Sequence, residues 1–239
     1  MTGARIIGVL LLLTALPGSI LADQLAPPPG QLASEDGFNW QGALAQSGLF
    51  HLFQHSTRML QHKTRRELGG PFWADYADSV SNIRTWSDQD GIPTNYLGHP
   101  ALGAVYGYFQ VHNDPQGRLL EFAPRSADYW KSRLKALGWS AMNSTQFEIG
   151  PLLSEAALGN VGQTPPTMAW VDLVVTPLGG FGMMLLEDYL DQRFVSRIEQ
   201  SGGFKARFFR VVLNPNRALA NVFRGRLPSH RDSRPLPRR

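Results

Sequence analysis

The chain has no cysteine among its 239 residues. That excludes a disulfide framework, a thiolate metal site and a lipid-modified cysteine anchor. An exported protein without disulfides is held by its core alone, which suits a bacterial periplasm better than a eukaryotic extracellular setting. Charged residues are scarce, at 18%, and no series of period-two alternations marks a set of strands. G-x-S-x-G, a phosphate loop and paired-metal spacing are also missing, which disfavours several common enzyme classes without excluding catalysis.

What is present begins with an export signal. Arg5 precedes an apolar run over residues 6–13, and Ile20-Leu21-Ala22 follows a Pro-Gly break. Residues 1–22 therefore read as a signal peptide cut after Ala22. The run falls short of the ~20 apolar residues a membrane span needs. Residues 23–37, with Pro27-Pro28-Pro29-Gly30, read as an extended linker. A helical domain over 38–223 and a basic, solvated tail over 224–239 complete the expected organisation. The net charge of +4 belongs to that end, where seven arginines from Arg217 onward face a single Asp232. Arg224, Arg226, Arg231, Arg234, Arg238 and Arg239 are the expected contacts to an anionic membrane or polysaccharide surface. Export makes nucleic acid an unsuitable partner.

The pattern predicts an all-α protein, an irregular bundle of about 6–8 helices with kinked central members. The first helix starts at Asp36 or Asn39 and runs to about residue 68, with Leu49, Leu52, Phe53, Met59 and Leu60 in its apolar stripe. His51, His55 and His62 share a face roughly 120° away, at ~100° per residue. HxxxH spacing can hold a metal, but the Glu of HExxH is missing. These histidines are therefore expected to be solvated, and no metal site is assigned. A second helix covers residues 72–86.

Residues 95–114 look central. His99 reads as an N-cap and Pro100 as the first helical residue, because Pro lacks only an N–H that is orphaned there anyway. Gly103 and Gly107 cost a helix roughly 1 kcal/mol each, which close approach by a second helix would offset. Farther on, Trp130, Leu134, Leu137 and Ala141 share a face expected to be buried, while Lys131, Arg133 and Lys135 lie away from it. Gly150-Pro151 predicts a kink. Residues 168–190 are apolar nearly all round, cut by Thr176-Pro177 and Gly179-Gly180. Asp172 and Glu187-Asp188 argue for a core position over a membrane span. Residues 204–213 and a short basic helix from Pro215 to Phe223 close the fold.

Candidate chemistry rests on His99 with Glu148, Glu155 and Asp172. Carboxylates in apolar surroundings must be paired or hydrogen-bonded. If they converge with His99 on a cleft, general acid–base work becomes available. If each caps or pins a helix end, they are scaffold.

The segments NYLGHPALGAVYGY, FEIGPLLSE and DLVVTPLGG, in that order and followed by Glu187, resemble a bacterial family of secreted cell-envelope proteins classed as a domain of unknown function. The likeness spans roughly residues 86–187. Some of that family's members continue into an outer-membrane β-barrel, for which this chain ends too soon. The resemblance implies an envelope location and marks Asn95, Gly98, His99, Pro100, Gly103, Glu148, Glu155, Asp172, Thr176 and Pro177 as motif positions, with Gly107 in the same stretch. It implies no activity and no cofactor. The resulting expectation is a periplasmic or outer-membrane-associated protein with a non-catalytic binding or structural role. The alternative is an envelope hydrolase, or a lipid- or glycan-modifying enzyme, built on the His–carboxylate cluster.

Overall fold

The computed structural model describes residues 37–60, 71–81, 83–87, 90–157, 170–201 and 203–235. The expected signal peptide, nearly all of the expected linker, His62, Arg238 and Arg239 lie outside them. The fold is all-α, as expected. Its main helices are α1 (Trp40–Met59), α2 (Phe72–Ser81), α3 (His99–Asn113), α4 (Ala127–Ile149), α5 (Trp170–Leu190), α6 (Gly203–Val212) and α7 (Pro215–Phe223).

Local chemistry sets the helix ends. The Asn39 side chain accepts from Gly42 N–H at 3.0 Å to start α1, and Ser126 accepts from Tyr129 N–H at 3.3 Å to start α4. The expected start of α3 at a His99 cap is wrong. A π turn, Thr94–Gly98, runs straight into the helix, and His99 itself has helical angles (φ −59, ψ −47). Its N–H reaches back to Thr94 O, so Pro100 falls where the hydrogen-bond register changes and its missing donor is tolerated. Gly150 ends α4 instead of kinking it. Conversely, α5 passes unbroken through Pro177 and the Gly179-Gly180 pair.

Helices α1, α3, α4 and α5 run alternately up and down. Asn39 N–H bonds Asn113 O at 2.9 Å, joining the start of α1 to the end of α3. Ser140 Oγ donates to Gly103 O at 2.9 Å, and Ser144 Oγ to Asp172 O at 3.2 Å. The closest pair is α3 with α5. A Cβ at Gly180 would sit 2.6 Å from Ala104 N, and one at Gly103 would collide with the Thr176 carbonyl. The glycines of α3 are therefore a packing device, as the sequence suggested. Phe50, Val105, Tyr106, Tyr108, Phe109 and Met184 fill the centre.

Helix α1 is turned opposite to expectation, and α4 departs from it at Arg133 and Leu134 while Lys131 and Lys135 are exposed as expected. On α1 the core receives Gln46, Ser47, His51, Gln54 and His55, while Leu44, Leu49 and Leu52 face outward. On α4, Arg133 is 0% exposed and Leu134 is 55% exposed. The buried polar groups are accommodated because they meet partners on another helix, in their own preceding turn or, for His55, in the turn after α4. Trp139 Nε1 donates to Ser47 Oγ at 3.1 Å, and Asn113 Nδ2 to Gln46 Oε1 at 3.1 Å.

Candidate functional site

Polar side chains gather at the two ends of the bundle. At the first end, α1 and α4 finish while α3 and α5 begin. His99 Nε2 lies 3.4 Å from Asp172 Oδ1, with side-chain exposures of 11% and 7%. Asn95 is buried in the π turn that precedes α3. Glu148 is buried one turn beyond Ser144, whose hydroxyl bonds the Asp172 carbonyl. Glu155 departs from this group. It sits in the turn after α4 and pairs with Arg58 of α1, while its N–H bonds Phe147 O at 2.7 Å. Because α4 stops at Ile149, Glu148 and Glu155 do not share a continuous helical face.

The expectation of solvated histidines on α1 fails for the two that are described. His51 and His55 are both buried. His51 Nδ1 is 2.8 Å from Ser47 O and 2.9 Å from the Tyr106 hydroxyl, to which Gln54 Nε2 donates at 2.6 Å. His55 Nε2 donates to Leu153 O at 2.6 Å and its ring stacks on Phe147. Leu153 has φ +49, an uncommon conformation for a branched residue, held by the turn around it. Among the described residues no group of three or more His, Asp or Glu is placed to hold a metal ion.

The second end is where α3 and α5 finish, and it is a network of ion pairs. Asp188 accepts from Tyr129 Oη at 2.9 Å and from Arg133 Nε at 2.6 Å, and also pairs with Arg217. Asp191 accepts from Asn214 Nδ2 at 3.1 Å and Arg231 Nε at 3.1 Å, and pairs with Arg234. Glu199 accepts from Arg210 at 2.6 Å and Arg234 at 2.9 Å. Glu187 takes the Asn216 and Arg217 N–H groups at 2.9 and 3.1 Å, capping α7 from a different helix.

This geometry corrects the reading of the basic tail. Residues 224–235 fold back as a strap over α5, α6 and α7. Arg231 is 2% exposed, and Arg224 pairs with Asp232 at 2.8 Å. Burial alone would raise the Asp232 carboxyl. Hydrogen bonds from His230 and Arg224, with the Arg224 charge, overcome this and hold it well below the usual carboxylate range. Burial also lowers the Arg231 guanidinium, to about 10, with Arg217 adding to the effect and Asp191 opposing it. Arg226 alone of the four described tail arginines is classed as exposed. Asp191 and Glu199, in the turns after α5, neutralise Arg231 and Arg234, and Asp232 of the strap itself neutralises Arg224. Sequence reasoning missed this because the acidic partners of Arg231 and Arg234 lie 35–43 residues away along the chain. The available signal was the run of carboxylates at Glu187, Asp188 and Asp191, which an apolar helix cannot leave unpaired.

A cavity of about 20 Å³ opens among Val111, His112, Arg133, Asp188, Arg217 and Arg231, enough for about one water molecule. It lies at the far end of α3 from His99. Compared with known proteins, the chain matches no family model, no curated protein and no solved structure. Roles for its residues rest on geometry.

Proposed function

We propose that this is a non-catalytic cell-envelope protein whose bundle binds or braces a component of the envelope. The observation that carries this reading is the saturation of its charged groups. Asp188, Asp191, Glu187 and Glu199 are held by arginines or backbone N–H groups of the same chain. The cavity beside Asp188 and Asp191 is about 20 Å³, against several hundred for a small-molecule site. The motif residues of the first end act in the same way, with His99–Asp172 tying α3 to α5 and Arg58–Glu155 tying α1 to the turn after α4. The export signal and the resemblance of the motif segments support an envelope location. Among the tail arginines, only Arg226, Arg238 and Arg239 remain as candidates for an anionic surface.

The His99–Asp172 contact also favours a second reading. A carboxylate beside an imidazole fixes its tautomer and strengthens it as a base, which a lipid- or glycan-cleaving enzyme could use. Complementation separates the two. His99→Gln and Asp172→Asn keep size and hydrogen bonding while removing proton transfer. In cells lacking the native chain, both variants are expected to restore envelope integrity in proportion to the folded protein present. Normal folded levels with lost function would establish the acid–base reading instead.

A further inference from the structure

The outward apolar faces of α1 and α5 have an occupant that the charge pattern identifies: we infer that α1, α3 and α5 sit in a lipid bilayer with the polar side chains of their middle turns inward, while α4, which exposes Asp128, Lys131 and Lys135 in its first turns, enters it from the second boundary. Every residue of α5 that is exposed or half-exposed, from Trp170 to Leu190, is apolar, glycine or tyrosine, while Asp172, Thr176, Glu187 and Asp188 are all buried. Helix α1 repeats the inversion, with Leu44, Gly48, Leu49 and Leu52 outside and His51 and Gln54 inside. A protein in water shows the opposite arrangement. In lipid, polar side chains turn to the bundle interior and small residues bring helices together, as Gly103 and Gly180 do here.

The dimensions agree. Residues 37–57 and 91–113 contain no Asp, Glu, Lys or Arg. The second stretch extends ~35 Å at 1.5 Å per residue, and the 21 residues of α5 extend ~31 Å, against ~30 Å for a hydrocarbon core. Exposed aromatic residues mark both boundaries. Trp73, Trp86, Tyr96 and Trp170 surround the first end, and Trp40 and Tyr189 the second. Beyond the second boundary, α6 exposes Phe204 and Phe208 beside Lys205 and Arg207, the composition of a helix lying in a headgroup region.

A second copy of the chain fits less well. Helix α5 packs on α3 through Gly103 and Gly107, whereas α1 packs on it through Tyr106 and Phe109. At ~100° per residue these contacts point roughly 110° apart around α3, so the outward faces of α1 and α5 do not lie in one plane. One twofold interface cannot cover both outward faces.

The natural absence of cysteine makes the test clean. Gly48→Cys, Leu52→Cys, Leu178→Cys and Gly182→Cys are made singly in the full chain, with Asp128→Cys and Arg226→Cys as aqueous references. Each carries a nitroxide and is reconstituted in phosphatidylethanolamine–phosphatidylglycerol vesicles. The four helix sites are expected to collide several-fold more often with oxygen than with a water-soluble nickel chelate, and the references the reverse. An apolar leader holding a water-soluble domain would leave all six sites aqueous and overturn the proposal. Release of the unlabelled chain by high salt or carbonate would also overturn it. So would a detergent-free soluble monomer, or a soluble oligomer with spin–spin coupling at residue 178, which would name a second copy as the occupant. As a companion measurement, Leu178→Lys is benign on a water-facing surface. In a bilayer it is expected to lower the integrated fraction on the order of tenfold or more.

Discussion

Arg133 Nε donates to Asp188 at 2.6 Å, and the two side chains are 0% and 1% exposed. This pair joins the start of α4 to the end of α5, and Tyr129 and Arg217 complete the carboxylate's shell. Breaking a buried pair by removing one partner leaves a charge with no solvent and no counter-ion. Asp188→Ala is therefore expected to cost about 3–5 kcal/mol, read as a shift in the denaturation midpoint of the purified chain. Tyr129→Phe removes one neutral donor of the same shell and is expected to cost about 1 kcal/mol. Equal costs for the two variants would mean that the carboxylate is not the keystone of this end.

The contact between α3 and α5 makes a second, paired prediction. A methyl group at Gly103 meets the Thr176 carbonyl, which is backbone and cannot swing away, whereas one at Gly138 of α4 meets nothing within 4 Å. Gly103→Ala is expected to destabilise by about 1–3 kcal/mol through forced separation of the helices. Gly138→Ala is expected to stabilise by roughly 0.5–1 kcal/mol, because alanine loses less conformational entropy in a helix. Thermal unfolding of both variants checks the pair, and a shift of the same sign in each would contradict it.

Much of this fold was legible before any coordinates. Helix starts read from Pro and capping residues were close for α1, α4 and α7, whereas α1 ends at Met59, short of the expected residue 68. The Gly103–Gly107 spacing correctly announced a tight helix contact. The orientation of α1 and the burial of Arg133 on α4 were not legible, because assigning the apolar stripe to the inside assumes that water lies outside. Once polar residues such as His51 and Arg133 find partners within the bundle, the hydrophobic pattern fixes the helix but not which face is buried. Ion pairs such as Asp191 with Arg231 and Arg234 were invisible for another reason. They join segments that only the three-dimensional path brings together, so a run of basic residues at one end reads as solvated.

Acid should loosen the strap. The folded Asp232 carboxyl lies below its unfolded value, with His230 and Arg224 hydrogen bonds outweighing burial. A depressed acid stabilises the folded state fully above its unfolded pKa of about 4. That stability is lost as pH falls below this value towards the folded pKa. Hydrogen exchange at residues 226–235 is expected to accelerate below about pH 4, ahead of the buried positions of α3. Asp232→Asn should show the acid behaviour already at neutral pH. Protection of the strap that is identical in wild type and variant at pH 7 would remove Asp232 from this role.

Glu187 performs across the chain what an N-cap residue performs locally. Its two oxygens accept from Asn216 and Arg217 N–H, donors in the first turn of α7 that no carbonyl of the helix itself reaches, where Asn214 makes no side-chain cap of its own. The carboxylate thereby holds α7 on the end of α5, and the strap follows α7 directly. Glu187→Ala removes an acceptor from two buried donors and is expected to cost about 1–3 kcal/mol. Glu187→Gln retains one carbonyl oxygen and loses the favourable charge at a helix N-terminus, an effect of up to ~2 kcal/mol in a partly buried setting. The two variants should therefore rank Ala above Gln in damage, with exchange of the 216 and 217 amides rising first in both. If those amides stay protected while the whole protein weakens, Glu187 acts through packing in the core and not as the cap of α7.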